Sequence, residues 1–147
     1  MYSQILLAID GSDSSRRATR EAINLALLPH VHVHAVYVVQ KWGLAPYSGY
    51  YEPEALGRVL NEVGRLALQE ARQAMLESKV PCSVELCETL GRSDSIAQCL
   101  QRCVKIRGSD LVVMGTHGKR GLKRAVLGSV AEEFLRIASC PVLIVRG

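Results

Sequence analysis

The chain has 147 residues, of which 48% are hydrophobic and 22% charged, with a formal net charge of +4. That is enough for one domain, spanning 1–147, with a sizeable core, and the composition is that of a soluble globular protein. Much of the positive excess sits near 119–124, without the wide, aromatic-interleaved stripe expected of a nucleic-acid binder, so no nucleic-acid partner is expected.

Met1-Tyr-Ser-Gln leads straight into an apolar run and lacks the basic region and cleavage site of a signal peptide. No apolar run reaches the ~18 residues of a membrane span. A cytoplasmic setting without a membrane partner is expected. Residues 4–9, Gln-Ile-Leu-Leu-Ala-Ile, are apolar on both faces, as in a central strand of a parallel sheet. They end at Asp10-Gly11-Ser12. Ser12, Asp13 and Ser14 all suit an N-cap, and a first helix is expected from about Ser14 to Leu28, with Ala18, Ala22 and Ala26 on one face.

Residues 32–39 form the second strand. His30, His32 and His34 alternate and would face one side of it. Three such histidines could hold a transition metal, but no carboxylate lies nearby in sequence, and a polar strand start is preferred. Residues 40–53 form a longer loop with Trp42, Pro46, Tyr47, Gly49, Tyr50, Tyr51 and Pro53. Such aromatics cover a ligand or pack on one another.

A second helix from about Glu54 to Ser78 carries a three-and-four apolar stripe from Leu56 to Met75. Strand three, about Cys82–Leu90, alternates Val84 and Leu86 with Glu85 and Glu88, which suits a sheet edge. A turn at 91–95 supplies an N-cap for a third helix to about Ile106, stopped by Gly108. Cys82, Cys87, Cys99, Cys103 and Cys140 are odd in number and contain no CxxC, so a disulfide framework is not expected. Cys99 and Cys103, four apart, could share a helix face. Buried small hydrophobes are preferred over a redox or metal pair.

Strand four, Asp110–Met114, runs into Gly115-Thr-His-Gly118-Lys-Arg-Gly121-Leu-Lys-Arg-Ala-Val-Leu-Gly128-Ser129. A helix follows, from about Val130 to Ala138, and Cys140–Val145 is a fifth strand. Glycines admit close backbone approach, and a helix start offers unpaired N–H groups at the positive end of a dipole. With Lys119, Arg120, Lys123 and Arg124 between the glycines, the stretch describes a phosphate cradle; a solvated basic turn is the plainer alternative. The order β-α-β-α-β-α-β-α-β implies an α/β fold, a doubly wound parallel sheet with helices on both faces. Ligands of such sheets bind beyond the strand carboxyl ends where strand order reverses. If strands one and four are neighbours, Asp10 and the glycine loop meet there. Neither GxxxxGK[ST] nor GxGxxG is present, so this is neither a Walker loop nor a standard dinucleotide fingerprint.

The spacing Gly-x2-Gly-x9-Gly-Ser at 115, 118, 128 and 129, after a strand and before a helix, resembles the nucleotide-binding motif of the universal stress protein family. The resemblance covers the whole chain: Ile5-Leu-Leu-Ala-Ile-Asp10-Gly-Ser12, Asp110-Leu-Val-Val-Met-Gly-Thr-His-Gly118, Gly128-Ser-Val-Ala-Glu132 and Cys140-Pro-Val-Leu-Ile-Val145. It implies a Rossmann-like five-stranded sheet of order 3-2-1-4-5, a homodimer, and ATP as ligand. Carried over, Ala8, Ile9 and Asp10 would line the adenosine end, Asp10 reaching the ribose or a Mg²⁺ ion. The backbone of Val38 would bond adenine, and Met114 would pack near the nucleoside. Gly115 and Gly118 would bring backbone N–H groups to the phosphates. Gly128, Ser129 and Val130 would bind phosphate from the helix start. Two positions depart: Ala131 stands where some ATP-binding members carry a hydroxyl, and Ser93 where a proline is common.

The implied function is a regulatory ATP-binding protein of a stress response with little or no turnover, and His117 is read as a loop residue rather than a catalytic base. A slow ATPase, or self-phosphorylation at Ser129 or Thr116, is the enzymatic alternative. A nucleotide-free interaction module is the third. The apolar terminal strand Pro141–Val145 would pair with its symmetry mate in a dimer.

Overall fold

The computed structural model describes residues 1–41, 52–117 and 126–147. In chain order it has β1 (Gln4–Ile9), α1 (Asp13–Ala26), β2 (His32–Val39), α2 (Pro53–Glu77), β3 (Cys82–Glu88), α3 (Ile96–Arg107), β4 (Leu111–Gly115), α4 (Ser129–Ile137) and β5 (Val142–Val145). All pairings are parallel, in the order β3-β2-β1-β4-β5. This is the α/β sheet expected from the alternation of strands and helices.

Strand periodicity explains the layers. Ile5, Leu7, Val33, Ala35 and Val113 point to one face, where they meet Ala18, Ala22 and Ala26 of α1 and Leu68, Ala71 and Met75 of α2. Leu6, Val36, Val112 and Met114 point to the other, under Ala97, Leu100 and Val104 of α3 and Ala131 and Phe134 of α4. The central strand is buried on both faces, which is why its sequence does not alternate. Among the described residues, no helix is long and apolar enough to cross a membrane.

Helix ends fall where capping chemistry puts them. Ser12 caps α1, its hydroxyl accepting from Ser15 N at 3.2 Å, so the helix starts one residue before the expected Ser14. It stops at Ala26, leaving Leu27 and Leu28 exposed. Ser95 and Gln98 form a reciprocal capping box on α3, and Gly108 ends that helix with φ 63°. β3 stops at Glu88, two residues short of the expected Leu90, which is exposed.

The histidine pattern resolves into a hydrogen-bonded cluster. His32 and His34 both contact the Ser83 hydroxyl, at 2.9 and 2.6 Å. His34 Nε2 also lies 2.8 Å from Glu85, which accepts from Arg107 at 2.8 Å. Glu85 is a cross-strand neighbour, invisible to a search for carboxylates nearby in sequence. His30 stands before the strand with φ 71°. Among the described residues, no group of three His, Cys, Asp or Glu could hold a metal.

His34 is 4% exposed. Burial pushes its pKa below the ordinary 6.5, against the pull of Glu85. The unfolded chain therefore binds a proton that the native state resists. Stability should be full above about pH 6.5 and fall as pH drops below it. Urea unfolding from pH 7 to pH 5 is expected to show this loss, flattened in His34→Gln; identical profiles for the two proteins would contradict the assignment.

Candidate functional site

From β1 the chain builds outward to β2 and β3, then returns to place β4 and β5 on the other side. The reversal lies between β1 and β4, and helices α1 and α4 start beyond these strands. Two helix N-termini thus converge on one crevice. A cavity of about 610 Å³ opens there. One end is apolar, walled by Ala8, Val36, Val38, Ile96, Leu100 and Met114; the other is polar, with Asp10, Ser15, Thr116, His117 and Ser129.

Ala8, Ile9, Asp10, Val38, Met114, Gly115, Gly128, Ser129 and Val130 all line this cavity. Gly118, the cations Lys119, Arg120, Lys123 and Arg124, and the aromatic stretch 42–51 lie outside the described residues. Ile96 and Leu100 are not among the residues expected from the sequence to line the site; their place in the wall follows from how α3 crosses the sheet.

The two helix starts differ. That of α1 carries a side-chain cap, the Ser12 hydroxyl accepting from Ser15 N. Besides the Ser12 cap, Asp10 Oδ1 accepts from Ser12 N at 2.9 Å, and the Ser15 hydroxyl accepts from Asp10 N at 3.2 Å. At α4 the cap is Gly128, which has no side chain to offer, and no side-chain cap bond is made. The first intrahelical bond is Glu132 N to Gly128 O at 2.9 Å. The N–H groups of Ser129, Val130 and Ala131 precede it and have no acceptor in their own helix. Ser129 is exposed, Val130 half-buried and Ala131 buried. These donors, at the positive end of the α4 dipole, are suited to an anion.

Thr116 ties the polar end together. Its N–H donates to Val145 O at 2.9 Å and its carbonyl accepts from Gly128 N at 2.6 Å. Its hydroxyl accepts from Gly147 N at 3.3 Å and lies 2.8 Å from His117 Nδ1. The hydroxyls of Ser12, at 3.1 Å, and of Ser14 both donate to the His117 carbonyl. The strand end, the α1 start, the α4 start and the terminal strand are therefore one hydrogen-bonded unit.

The described glycines here answer to packing. A Cβ at 115 would come within 2.8 Å of the Ser14 carbonyl carbon, and closer to its hydroxyl. A Cβ at 128 would come within 2.7 Å of Thr116 O. Gly115 lets the start of α1 touch the end of β4, and Gly128 lets the start of α4 touch the loop. Sequence reading assigned Gly115 to phosphate approach, because Ser14 carries no signal of its position beyond its preference for a helix start.

A model of the universal stress protein family matches residues 1–146. A universal stress protein of Methanocaldococcus jannaschii is 35% identical over 149 residues, covering 99% of this chain and 83% of its own length. The crystal structure of a universal stress protein family member from Burkholderia pseudomallei is 35% identical, with a TM-score of 0.78 over 98% of this chain and 96% of that one. The universal stress protein of Archaeoglobus fulgidus in complex with dAMP shares the fold at 21% identity, with a TM-score of 0.69 over 98% of each chain.

Gly115→Ala should lower stability by about 1–3 kcal/mol through overpacking against the Ser14 backbone. Denaturant unfolding checks this. A change within about 0.5 kcal/mol, the range of an ordinary surface substitution, would show that the contact can relax.

Proposed function

The chain belongs to the universal stress protein family, and from that premise we propose that it is a cytoplasmic regulatory protein of a stress response that binds ATP and turns it over little or not at all. The observation that carries this reading is the uncapped start of α4, opening on the cavity where β1 and β4 part. The apolar end suits a base, and the donors of Ser129 and Val130 suit phosphate. The Archaeoglobus fulgidus relative holds dAMP on the same fold, which supports an adenine nucleotide.

Val38 fits its expected role through backbone parity. His32 N donates to Ser3 O and Val33 N to Pro81 O, so alternate residues of β2 face β1 and β3. By that period Val38 turns its backbone toward β1, whose pairing with β2 ends at Ile9 and Tyr37. Its carbonyl reaches past the paired strand, where a base can bond it. Asp10 is a single carboxylate that also accepts from Ser12 N. Mg²⁺ fits only where the nucleotide's own phosphates and water supply the remaining oxygens. When bound, the ion would neutralise phosphate charge.

The enzymatic alternative has one feature in its favour. Ser129 is exposed at the α4 start, whereas the Thr116 hydroxyl is buried and bonded. A self-phosphorylated residue would therefore be Ser129. A nucleotide-free module has no observation of its own here.

Titration calorimetry with ATP and AMP tests the reading. Both should bind, and Gly128→Ala should weaken binding at least about tenfold, ~1.4 kcal/mol. No heat with any adenine nucleotide would overturn it. Phosphate release from ATP should be no faster than that of Gly118→Ala; a clear excess would favour the enzyme.

The proposal extends to a homodimer. β5 is an edge strand whose apolar side chains are half-buried or exposed, Leu143 at 36%. Pairing with a second copy would cover that edge. Light scattering should give twice the chain mass of 16.1 kDa; a monomer at micromolar concentration would refute the dimer.

A further inference from the structure

Three thiols meet beside the cavity wall. Cys87 lies on β3, on the face that α3 covers, and Cys99 and Cys103 are one helical turn apart on α3. All are free. Cys87 Sγ and Cys103 Sγ are 3.4 Å apart, in direct contact. The Cys99 thiol donates to the Glu88 carbonyl at 3.7 Å and also interacts with the other two thiols. Cys82 packs on the opposite face of the sheet, and Cys140 packs in the cluster beneath α3 and α4.

Of the two pairs that cross the strand–helix interface, Cys87 and Cys103 have their sulfurs 3.4 Å apart, whereas Cys99 donates to the Glu88 carbonyl. Residues at i and i+4 of a helix hold their Cβ atoms ~5–6 Å apart, beyond the ~3.5–4.5 Å that a disulfide requires. Cys99 and Cys103 are therefore poorly placed for each other. Cys87 and Cys103 come from different elements and face across a strand–helix interface. Their sulfurs need to close by ~1.4 Å to reach bonding distance. That is small beside the swing between staggered side-chain rotamers. Cys87 is half-buried on an edge strand, so a small oxidant can reach the pair from the edge.

We propose that Cys87 and Cys103 form a reversible thiol pair, which a hydroperoxide oxidises to a disulfide that ties β3 to α3. One thiolate attacks the terminal peroxide oxygen. The O–O bond breaks, the remaining oxygen leaves with a proton as alcohol or water, and a sulfenic acid forms. The second thiol attacks that sulfur. The S–S bond forms, the S–O bond breaks, and hydroxide leaves with the thiol's proton as water. The two thiols lose two electrons to one peroxide. Two electrons from an external dithiol restore them.

The bond would lie against the cavity. Cys87 is the register partner of Val38, and Leu100, which lines the cavity, stands on α3 between Cys99 and Cys103. Oxidation would fix the spacing of two elements that shape the apolar wall. The pairing itself does not depend on what the cavity binds.

The whole protein should be exposed to hydrogen peroxide, blocked with N-ethylmaleimide, and digested without reductant for mass spectrometry. The expected product is a peptide pair joined through Cys87 and Cys103, lighter by two hydrogens, intramolecular, and released by dithiothreitol. Cys99→Ser should leave this cross-link in place, and Cys103→Ser should abolish it. The proposal is overturned if Cys87 and Cys103 are recovered alkylated or as sulfinic acids. It is equally overturned if the bonds found join two chains or run through Cys82, Cys99 or Cys140. The wild-type map decides this even if a variant fails to fold.

Discussion

The site depends on one close approach: the start of α1 against the end of β4. Ser14 occupies the space where a side chain at 115 would sit. From there its hydroxyl, with that of Ser12, holds the His117 carbonyl. Thr116 is then fixed between Val145, Gly128 and Gly147. Without that contact, α1 would stand off the sheet, and the loop that sets the start of α4 would lose its anchor. The small face Ala18, Ala22 and Ala26 serves the same end, because it lets α1 lie close to the sheet along its length.

The division of labour between the two helix starts follows. α1 has a serine at its cap, which accepts from the N–H of Ser15. α4 has glycine at its cap and keeps its first donors unpaired in the helix. Fixed donors and an apolar slot make a binding device. Phosphoryl transfer would need, in addition, a positioned nucleophile and metal. Among the described residues, the cavity lining provides one exposed hydroxyl, Ser129, and one carboxylate, Asp10, already bonded to the backbone.

Much of this was legible in the chain. The unbroken apolar run at 4–9 marks the central strand, and the polar alternation in Cys82–Glu88 marks an edge, because burial on two faces or one leaves different periodicities. The glycine-rich run before Ser129 marks the uncapped helix. What stayed hidden were contacts between residues far apart in sequence. Ser14 and Gly115 meet only once the sheet is assembled. Glu85 joins His34, and Cys87 joins Cys103, across elements that no local pattern connects. The cysteines read as core filler because spacing along one helix suggests Cys99 with Cys103, whereas the packed contact is made across to the strand. The aromatic stretch 42–51, read as covering a ligand or packing on itself, and residues 118–125, whose Gly118 and cations are read as facing phosphate or solvent, lie outside the described residues.

The central claim is that the start of α4 recognises a phosphate. Amide resonances followed by NMR during titration test it directly, with AMP compared against adenosine. The account predicts that the amides of Ser129 and Val130 shift with AMP and stay nearly still with adenosine, while residues of the apolar wall such as Val38 and Met114 respond to both. Equal shifts at Ser129 and Val130 with the two ligands, or none with AMP, would contradict it.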